Sequence, residues 1–525
     1  MSSTSPRLLR YGRQLIKHRN IASVMPCGSF ILPNNACSVT SWNTQQVRMR
    51  NMLSLGQPTL ESHSEFFSDP EQVMPGIYKE ELRSRRQSLC HIVSELVAKR
   101  GSEVNHLIVI PASSKKFMSE NIPYPYRQNS NFLYLSGSYD HEAFLVLCVT
   151  GKEQLHTLFL SDPDPTSDLW DGPKTSPQAA VDHYGFDQAY LASEFESFMT
   201  SFAQKTKRKV KVWCEDRSIV ERYLDPSFGF EFKNAESPKA IIDTLRLIKS
   251  PAEIDLMRHS SRIASEAFQQ TIRFCAEWNA KGQTINEHQI WAKLDYECRM
   301  HGAERLAYPP VVASGGRANI IHYVFNSNKC QPNDMILVDA GCEFFGYCSD
   351  ITRTWPVGGK FTNEHHKSLY EMMHKTQTEL IKKVEPGISL DQLFGVMSEY
   401  LVKGLEELGI IKEGSSQSGN CQEIALRFCP HHVSHYLGMD VHDTATVGRN
   451  EPLAAGMVIT VEPGIYLRTS SNQRDYLTKV GKEFNGIAIR IEDDVLVTEN
   501  GHNVLTSSCP KSVKDIENWG TVPQT

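Results

Sequence analysis

Residues 334–358 constrain the fold of this chain more than any other stretch, because two apolar, β-rich runs flank a turn at residues 344–346. This pattern predicts an antiparallel hairpin. If the register is centred between residues 344 and 345, Asp339 lies directly opposite Asp350. The two Cβ atoms would then be about 4.5–5.5 Å apart.

Two carboxylates that face each other in an apolar hairpin repel strongly. A divalent cation between them would remove this conflict, and so would exposure of the pair to solvent. The hairpin alone therefore leaves two interpretations open for Asp339 and Asp350, a metal site and a surface acid pair.

Residues 431–443 contain four histidines within twelve positions, namely His431, His432, His435 and His442. Imidazole titrates near neutral pH, so histidine clusters supply metal ligands and proton carriers. A single histidine here would more often be a hydrogen-bonded core residue. The presence of four favours a functional role.

Two glutamates follow in apolar, strand-like runs. Glu462 ends the run of residues 458–461 and precedes a Pro-Gly turn, and alternation in residues 486–497 puts Arg490 and Glu492 on one face. A charged residue at the end of a buried strand is costly unless it is paired or binds a metal. For each glutamate alone, a structural salt bridge remains an alternative to a metal ligand.

Together these segments offer four carboxylates and one imidazole, from Asp339, Asp350, His435, Glu462 and Glu492. Oxygen-rich ligand sets suit hard divalent ions, Mn²⁺ better than a structural zinc. Four negative charges balance two divalent cations, with a bridging hydroxide as the remaining anion. Paired cations about 3.5–4 Å apart generate hydroxide at neutral pH, which predicts hydrolysis of a carbonyl or phosphoryl bond.

The order of these motifs is DAG, DIT, H-x-x-x-H-x-x-G-x-D-x-H-D, VEPG and RIEDD. It resembles the aminopeptidase P and prolidase branch of the pita-bread metallopeptidases. Residues 55–58 (LGQP), 126–135 and 245–253 also resemble this group, so the likeness covers residues 55–510. The resemblance implies an α/β (α+β) fold with a mixed α/β, creatinase-like N-terminal domain and a C-terminal pita-bread catalytic domain.

The beginning of the chain has a distinct composition. Residues 1–60 contain seven Lys or Arg and no Asp or Glu, and the basic positions of the first twenty residues recur every three or four. This is typical of a mitochondrial targeting leader, although a disordered basic tail is the alternative. We expect a leader at 1–54, an N-terminal aminopeptidase P domain at 55–240, a catalytic domain at 241–510 and a tail at 511–525. The expected location is the mitochondrion, with a cytoplasmic pool also possible.

The resemblance further implies two Mn²⁺ ions per chain, or other divalent ions in their place, with Asp350 and Glu492 bridging them. It implies that the enzyme removes one N-terminal residue when proline comes next. The histidines that match the proton-handling positions of the family are His322, His431 and His442. His432 stands where the family often has glycine, so it could compete with His431.

Further roles concern the substrate. Tyr308 and His442 match substrate-contact positions, and Arg490 would order the bridging carboxylate. The free amine of the substrate needs an anionic partner near the metals, for which Asp339 is the best candidate. The expected partners are peptides or proteins with proline at position two, and relatives suggest a homodimer.

Composition and length exclude other classes. A net charge of -6 gives no reason to expect nucleic acid as a partner, and the basic run of residues 205–212 is better explained as an edge strand. The apolar runs are too short for membrane insertion. Two alternative functions remain, a prolidase-type dipeptidase and a non-catalytic pita-bread scaffold that binds proteins.

Overall fold

The structure is a computed structural model that describes residues 56–98, 105–164, 169–172, 174–206, 210–215, 235–468 and 472–522. The predicted leader at 1–54 lies outside these residues. The chain divides into two compact units between Leu245 and Arg246, close to the domain boundary expected after residue 240. No helix in the described ranges combines the length and the apolar composition that crossing a bilayer requires.

The first unit is built on a mixed five-stranded sheet. In spatial order its strands are Gln188–Leu191, Glu153–Leu160, Phe144–Thr150, Asn105–Pro111 and Val210–Cys214. The outermost pair at each end is parallel and the inner pairs are antiparallel. Val210–Cys214 is an edge strand of this sheet, as predicted for the basic run, of which it includes residues 210–212.

Helices and short strands complete this unit. The helices are Lys79–Ala98, Ser130–Ser136, Pro177–Tyr184, Phe195–Lys205, the 3₁₀ turn Ala192–Glu194, and Lys239–Leu247, which contains the division between the units. The short strands are Gln72–Met74, Ile77–Tyr78, Phe117–Ser119 and Ile122–Pro123. The central strands are apolar on both faces because both faces are buried, and the rings of Phe144, Phe159 and Phe195 pack with centroids 5.0 Å apart.

Two long helices open the second unit, Pro251–Ala280 and Glu287–Met300. The sequence pattern of Thr284 followed by Glu287 predicts a capping box at the start of the second helix. This prediction is wrong, because Asn286 caps the helix and exchanges hydrogen bonds with Gln289. Glu287 is instead fully buried and accepts hydrogen bonds from the backbone N–H and hydroxyl of Ser314.

The strands of the second unit form small antiparallel sheets. Their bounds are Arg305–Leu306, Cys342–Phe344 and Tyr347–Cys348 in one sheet; Val311–Ser314, Met335–Ala340 and Ile351–Pro356 in the next; Val458–Val461, Asp493–Thr498 and Gly501–Val504 in a third; and Gly464–Tyr466 with Ala488–Arg490 in a fourth. The remaining helices are Glu364–Ile381, Leu390–Glu407, Cys421–Phe428 and Val513–Trp519, with 3₁₀ turns Gly315–Asn319, Ser415–Gln417 and Val480–Phe484. The mixed α/β class is as predicted.

The predicted hairpin at residues 334–358 exists, but its register differs from the expected one. Asp339 lies opposite Thr352, not Asp350. The chain reverses through Phe345 and Gly346, which have φ values of 45° and 77° and form a two-residue turn centred one residue later than predicted. The residue opposite Asp339 is therefore two positions further along the strand than predicted. Because side chains alternate between the two faces of a sheet, a shift of two positions leaves Asp339 and Asp350 on the same face.

Residues 511–522, the described part of the tail predicted at 511–525, are folded as part of the second unit. Val513–Trp519 is a helix that begins at a Ser512–Asp515 capping box, and Ile516 is fully buried. Lys511 Nζ lies 2.6 Å from Oδ2 of the buried Asp493. This segment is therefore part of the second unit up to the last described residue, 522.

Candidate active site

One cavity of about 1190 Å³ in the second unit collects the side chains that the sequence singled out. Its lining includes Tyr308, His322, Asp339, Asp350, His431, His435, His442, Glu462, Arg490 and Glu492. These residues come from segments up to 184 positions apart (492 − 308) and from several strands and loops. Both His431 and His432 line the cavity, so their location alone does not show which of the two histidines takes part in the reaction.

The most compact donor group consists of Asp350, His435 and Glu492, whose candidate ligand atoms all lie within 4.8 Å of one another. His435 Nε2 is 3.4 Å from Asp350 Oδ2 and 3.6 Å from Oε1 of Glu462. The hydroxyl of Thr460 contacts the same segment, accepting from the His435 N–H at 3.1 Å. The strand Val458–Val461 thus brings a fourth donor, Glu462, next to the imidazole.

Asp339 joins the group through Tyr308. The Tyr308 hydroxyl lies 2.5 Å from Asp339 Oδ1 and also contacts Asp350 Oδ1. Since one hydroxyl has a single hydrogen to donate, it can serve only one of the two carboxylates at a time. The other oxygen of Asp339 is paired with the guanidinium of Arg490.

Three of the crowded carboxylates, Asp339, Glu462 and Glu492, have raised pKa values in this buried site. Burial raises the pKa of Glu492 well above its usual value, and the charges of Asp350 and Glu462 raise it further. Burial also raises the pKa of Glu462 to about 7, against the opposing influence of His435 and Arg490. Burial and Asp350 raise the pKa of Asp339, although Arg490 opposes them.

The balance of charged side chains in the cavity indicates which kind of ligand would bind there. Burial lowers the pKa of His435, but the hydrogen bond to Asp350 and the charge of Glu462 outweigh it and bring the value to about 9. Even with His435 protonated, two cationic side chains, His435 and Arg490, face four carboxylates. An oxygen-dominated donor set with excess negative charge suits hard divalent cations, so the residues present fit a metal site.

The sequence reasoning missed two residues that orient the donors. The Thr352 hydroxyl donates to Glu492 Oε2 at 2.6 Å and accepts from Arg490 Nε at 3.0 Å. Both oxygens of the fully buried Asp494 accept from the N–H of Asp350, at 3.2 and 3.1 Å. Thr352 could have been found, since it lies two positions after Asp350 and so shares its strand face. Asp494 contacts a backbone group, which no side-chain pattern reveals.

The contacts of His431 and His432 are different. His431 Nε2 lies 2.9 Å from the hydroxyl of Tyr466, and its Nδ1 lies 2.9 Å from the carbonyl oxygen of His432. Burial, and then the charge of Arg490, lower the pKa of His431 to about 3. His432 instead stacks on Phe394, with ring centroids 5.0 Å apart.

The other two histidines are exposed within the cavity. His322 and His442 both reach solvent, and the His442 ring meets the His435 ring edge-on with centroids 4.5 Å apart. A third buried polar group, Tyr466, was also missed by the sequence reasoning; Arg490 Nη1 donates to its hydroxyl at 2.6 Å.

Comparison with known proteins agrees with this geometry. The profile of the aminopeptidase P N-terminal domain matches residues 82–213, and the profile of metallopeptidase family M24 matches residues 255–499. Xaa-Pro aminopeptidase 3 of Homo sapiens is 36% identical over 92% of this chain and 94% of its own length. The mitochondrial intermediate cleaving peptidase 55 of Arabidopsis thaliana is 36% identical over 91% of this chain and 89% of its own.

Solved structures give the same result. Zn-substituted Escherichia coli aminopeptidase P in complex with product aligns with a TM-score of 0.73 at 30% identity, covering 84% of this chain and 98% of that one. Pseudomonas aeruginosa aminopeptidase PepP gives the same values. The resemblance drawn from the motifs and the pita-bread fold of the second unit are thereby confirmed. The chain therefore belongs to metallopeptidase family M24, in its aminopeptidase P group, and is a metallo-aminopeptidase.

Proposed function

We propose that this chain is a dinuclear Xaa-Pro aminopeptidase, which releases the first residue of peptides and proteins whose second residue is proline. The names of its Homo sapiens and Rattus norvegicus relatives, both Xaa-Pro aminopeptidase 3, support this substrate class. The observation that carries the proposal is the convergence of four carboxylates and one imidazole in a single cavity.

The candidate ligands are Asp339, Asp350, His435, Glu462 and Glu492. Their four negative charges would balance two divalent cations, and the oxygen-rich set favours Mn²⁺. When bound, such a pair supplies a hydroxide nucleophile from water at neutral pH and polarises the scissile carbonyl. Thr352 and Arg490 would keep the carboxylates in place, since Thr352 donates to Glu492 and Arg490 pairs with Asp339.

An X–Pro bond makes particular demands on the site. Its nitrogen has no N–H and is part of a ring, so the cavity needs an apolar wall and a group that protonates the departing nitrogen. Ile321, Val324 and Val441 supply apolar lining. Asp339 is the proposed partner of the substrate amine, with Tyr308 beside it.

His322 and His442 are the proposed proton donors to the departing nitrogen, because both are exposed in the cavity and can regain protons from water. His431 has a different proposed role. Both of its ring nitrogens are engaged, with His432 O and the Tyr466 hydroxyl, so it would act as a fixed polar wall. His432 stacks on Phe394, which favours His431 as the histidine nearer the reaction.

The direct test is to incubate the purified chain with Mn²⁺ and an X-Pro-X tripeptide, and to measure both release of the first residue and bound metal by elemental analysis. Asp350→Asn should abolish turnover and reduce metal content. Asp255→Asn is the matched control, because that carboxylate is 81% exposed on a helix outside the cavity. Absence of cleavage by metal-loaded wild-type protein would refute the proposal and favour a non-catalytic scaffold.

Substrate length separates the two enzymatic alternatives. A prolidase-type dipeptidase would cleave X-Pro and leave X-Pro-X intact, whereas the proposed aminopeptidase cleaves the longer peptide. A series of X-Pro, X-Pro-X and longer peptides, compared by kcat/KM, decides between them.

We also propose that residues 1–54 target the chain to mitochondria, where it would trim imported proteins. The basic, acid-free composition of residues 1–60 and the mitochondrial relative of Arabidopsis thaliana support this. Fractionation of cells that express a C-terminally tagged chain should place a shortened form in mitochondria; an intact form in the cytosol alone would contradict the proposal. A homodimer is proposed as well, to be measured by analytical ultracentrifugation.

A further inference from the structure

A cluster of four charged residues, of which Arg246, Lys249 and Asp443 are buried and Asp440 is partly exposed, anchors the segment that carries His442. Arg246 Nη2 lies 2.8 Å from Asp440 Oδ2 and also pairs with Oδ1 of Asp443. Lys249 Nζ lies 3.2 Å from the other oxygen of Asp443. Arg246 thus binds carboxylates on both sides of His442 in the sequence.

The cluster is electrically balanced and closely packed. Arg246, Lys249 and Asp443 are only 3%, 5% and 4% exposed, so each charge depends on its partners in place of water. A Cβ atom at Gly438 would lie 2.4 Å from Asp443 Oδ2 and 3.0 Å from Lys249 Cε. Only glycine therefore lets the backbone approach the ion pairs at this position.

The segment that carries His442, residues 436–443, also forms backbone hydrogen bonds with other parts of the second unit. Asp443 N donates to Tyr436 O at 3.0 Å, and Leu437 N donates to Val458 O at 3.0 Å. Cys348 N donates to Gly438 O at 2.9 Å. These bonds fix the backbone at Leu437, Gly438 and Asp443. The ion pairs with Arg246 fix the side chains of Asp440 and Asp443.

The ring of His442 has no comparable anchor of its own. Within the ranges that the structure describes, it makes no hydrogen bond, and its ring contact is with His435. The position of this ring is therefore set by its backbone, and the backbone is held by the carboxylates on either side.

We propose that Arg246 and Lys249 are positioning residues, which hold Asp440 and Asp443 and thereby place His442 in the cavity beside His435. This inference rests on the proposed role of His442 as a proton donor. It gives a function to the segment of residues 245–253, which resembles the family and does not line the cavity.

The test is a double-mutant cycle in the full chain with Mn²⁺ and an X-Pro-X peptide. Asp443→Asn should lower kcat by about 100-fold, because a displacement of about 1 Å at a catalytic group has an effect of this size. Arg246→Lys keeps the charge and should lower kcat by about 10-fold. In both variants KM and metal content should stay within about twofold of wild type, since no ligand is touched.

The decisive comparison uses His442→Gln as the background. If the cluster acts through His442, neither Asp443→Asn nor Arg246→Lys lowers kcat further once His442 is gone. A purely structural role would lower kcat by the same factor in both backgrounds, and that result would overturn the proposal. Arg258→Gln is the control, because Arg258 is a half-exposed arginine that contacts Asn503.

A second readout does not depend on activity. In crystals of Arg246→Lys the centroids of His435 and His442 should separate beyond the 4.5 Å seen here, and an unchanged arrangement would contradict the proposal. If Asp443→Asn fails to fold, the kinetic cycle and the crystal structure are both measured with the charge-conserving variant Arg246→Lys. A wild-type chain that cleaves no peptide would refute the proposed function itself, whereas an additive cycle in an active enzyme refutes only the positioning role.

Discussion

The hydroxyl of Tyr466 donates to Nε2 of His431, with 2.9 Å between the two atoms, and accepts from Arg490. Tyr466→Phe removes both bonds without changing the ring. We expect a loss of about 1–3 kcal/mol in the free energy of unfolding, because buried polar groups of His431 and Arg490 lose their partner. Urea denaturation measures this change, and kcat should fall at the same time.

Leu467→Met is a suitable control for Tyr466→Phe, since it alters the neighbouring buried residue without touching a hydrogen-bonding side chain. Equal stability of Tyr466→Phe and wild type would show that water replaces the hydroxyl at no cost. That result would contradict the fixed role given to His431.

Removal of metal should destabilise the second unit. Without cations, the four crowded carboxylates repel one another, and burial together with this repulsion raises the pKa values of Glu462 and Glu492. A ligand that binds only the folded state at 1,000 times its Kd adds about 4 kcal/mol. We expect chelation to lower the melting temperature and Mn²⁺ to restore it in calorimetry, with no response in Asp350→Asn.

A buried ion pair beside the site should be highly sensitive to loss of one partner. Arg353 and Asp493 are both fully buried, 2.7 Å apart, and Lys511 completes the cluster. Arg353→Met leaves Asp493 without its main partner and should cost about 3–5 kcal/mol. The control is Arg258→Met, which alters an exposed arginine. Equal melting temperatures of the two variants in calorimetry would contradict the predicted stabilisation by the buried ion pair.

Glu287 should make stability depend on pH in the acid range. Burial raises its pKa, but hydrogen bonds from the backbone N–H of Ser314 and from Arg317 outweigh burial, and the net pKa is lowered. A lowered pKa contributes stability above the unfolded value of about 4.3, and this contribution disappears as the pH falls through the folded value.

Glu287→Gln should therefore reduce stability more at pH 7 than at pH 3. Urea denaturation at both values measures the difference, with the half-exposed Glu266→Gln as the control. A reduction of the same size at both pH values would show that Glu287 acts through packing alone.

The sequence predicted residues that the structure brings to one cavity, because each candidate ligand lies at a recognisable point in a strand or loop. Their roles as metal ligands stay a prediction. Glu462 at the end of an apolar run, and Arg490 beside Glu492 on one strand face, could be read from alternation alone. All of them line the same cavity. The tertiary arrangement of these segments could not be predicted from the sequence, because it depends on contacts between residues that are far apart in the chain.

The errors have local physical causes. The hairpin register was centred one residue too early because positive φ at Phe345, a bulky residue, is uncommon and gave no warning. The capping box at Thr284 was plausible by pattern, but Asn286 has the extended backbone and the side-chain contact of a cap. The sequence predicts a tail at residues 511–525 because a short polar helix with one buried isoleucine has the composition of a tail.

The position of Lys511 has a consequence for which parts of the chain support the candidate site. Arg353 donates to the carbonyl oxygens of Cys509 and Pro510, and Lys511 binds Asp493, next to the candidate ligand Glu492. Removal of residues 509–511 would take partners from both members of the buried Arg353–Asp493 pair, so the surroundings of the candidate ligand Glu492 depend on a segment that lies outside all the sequence motifs.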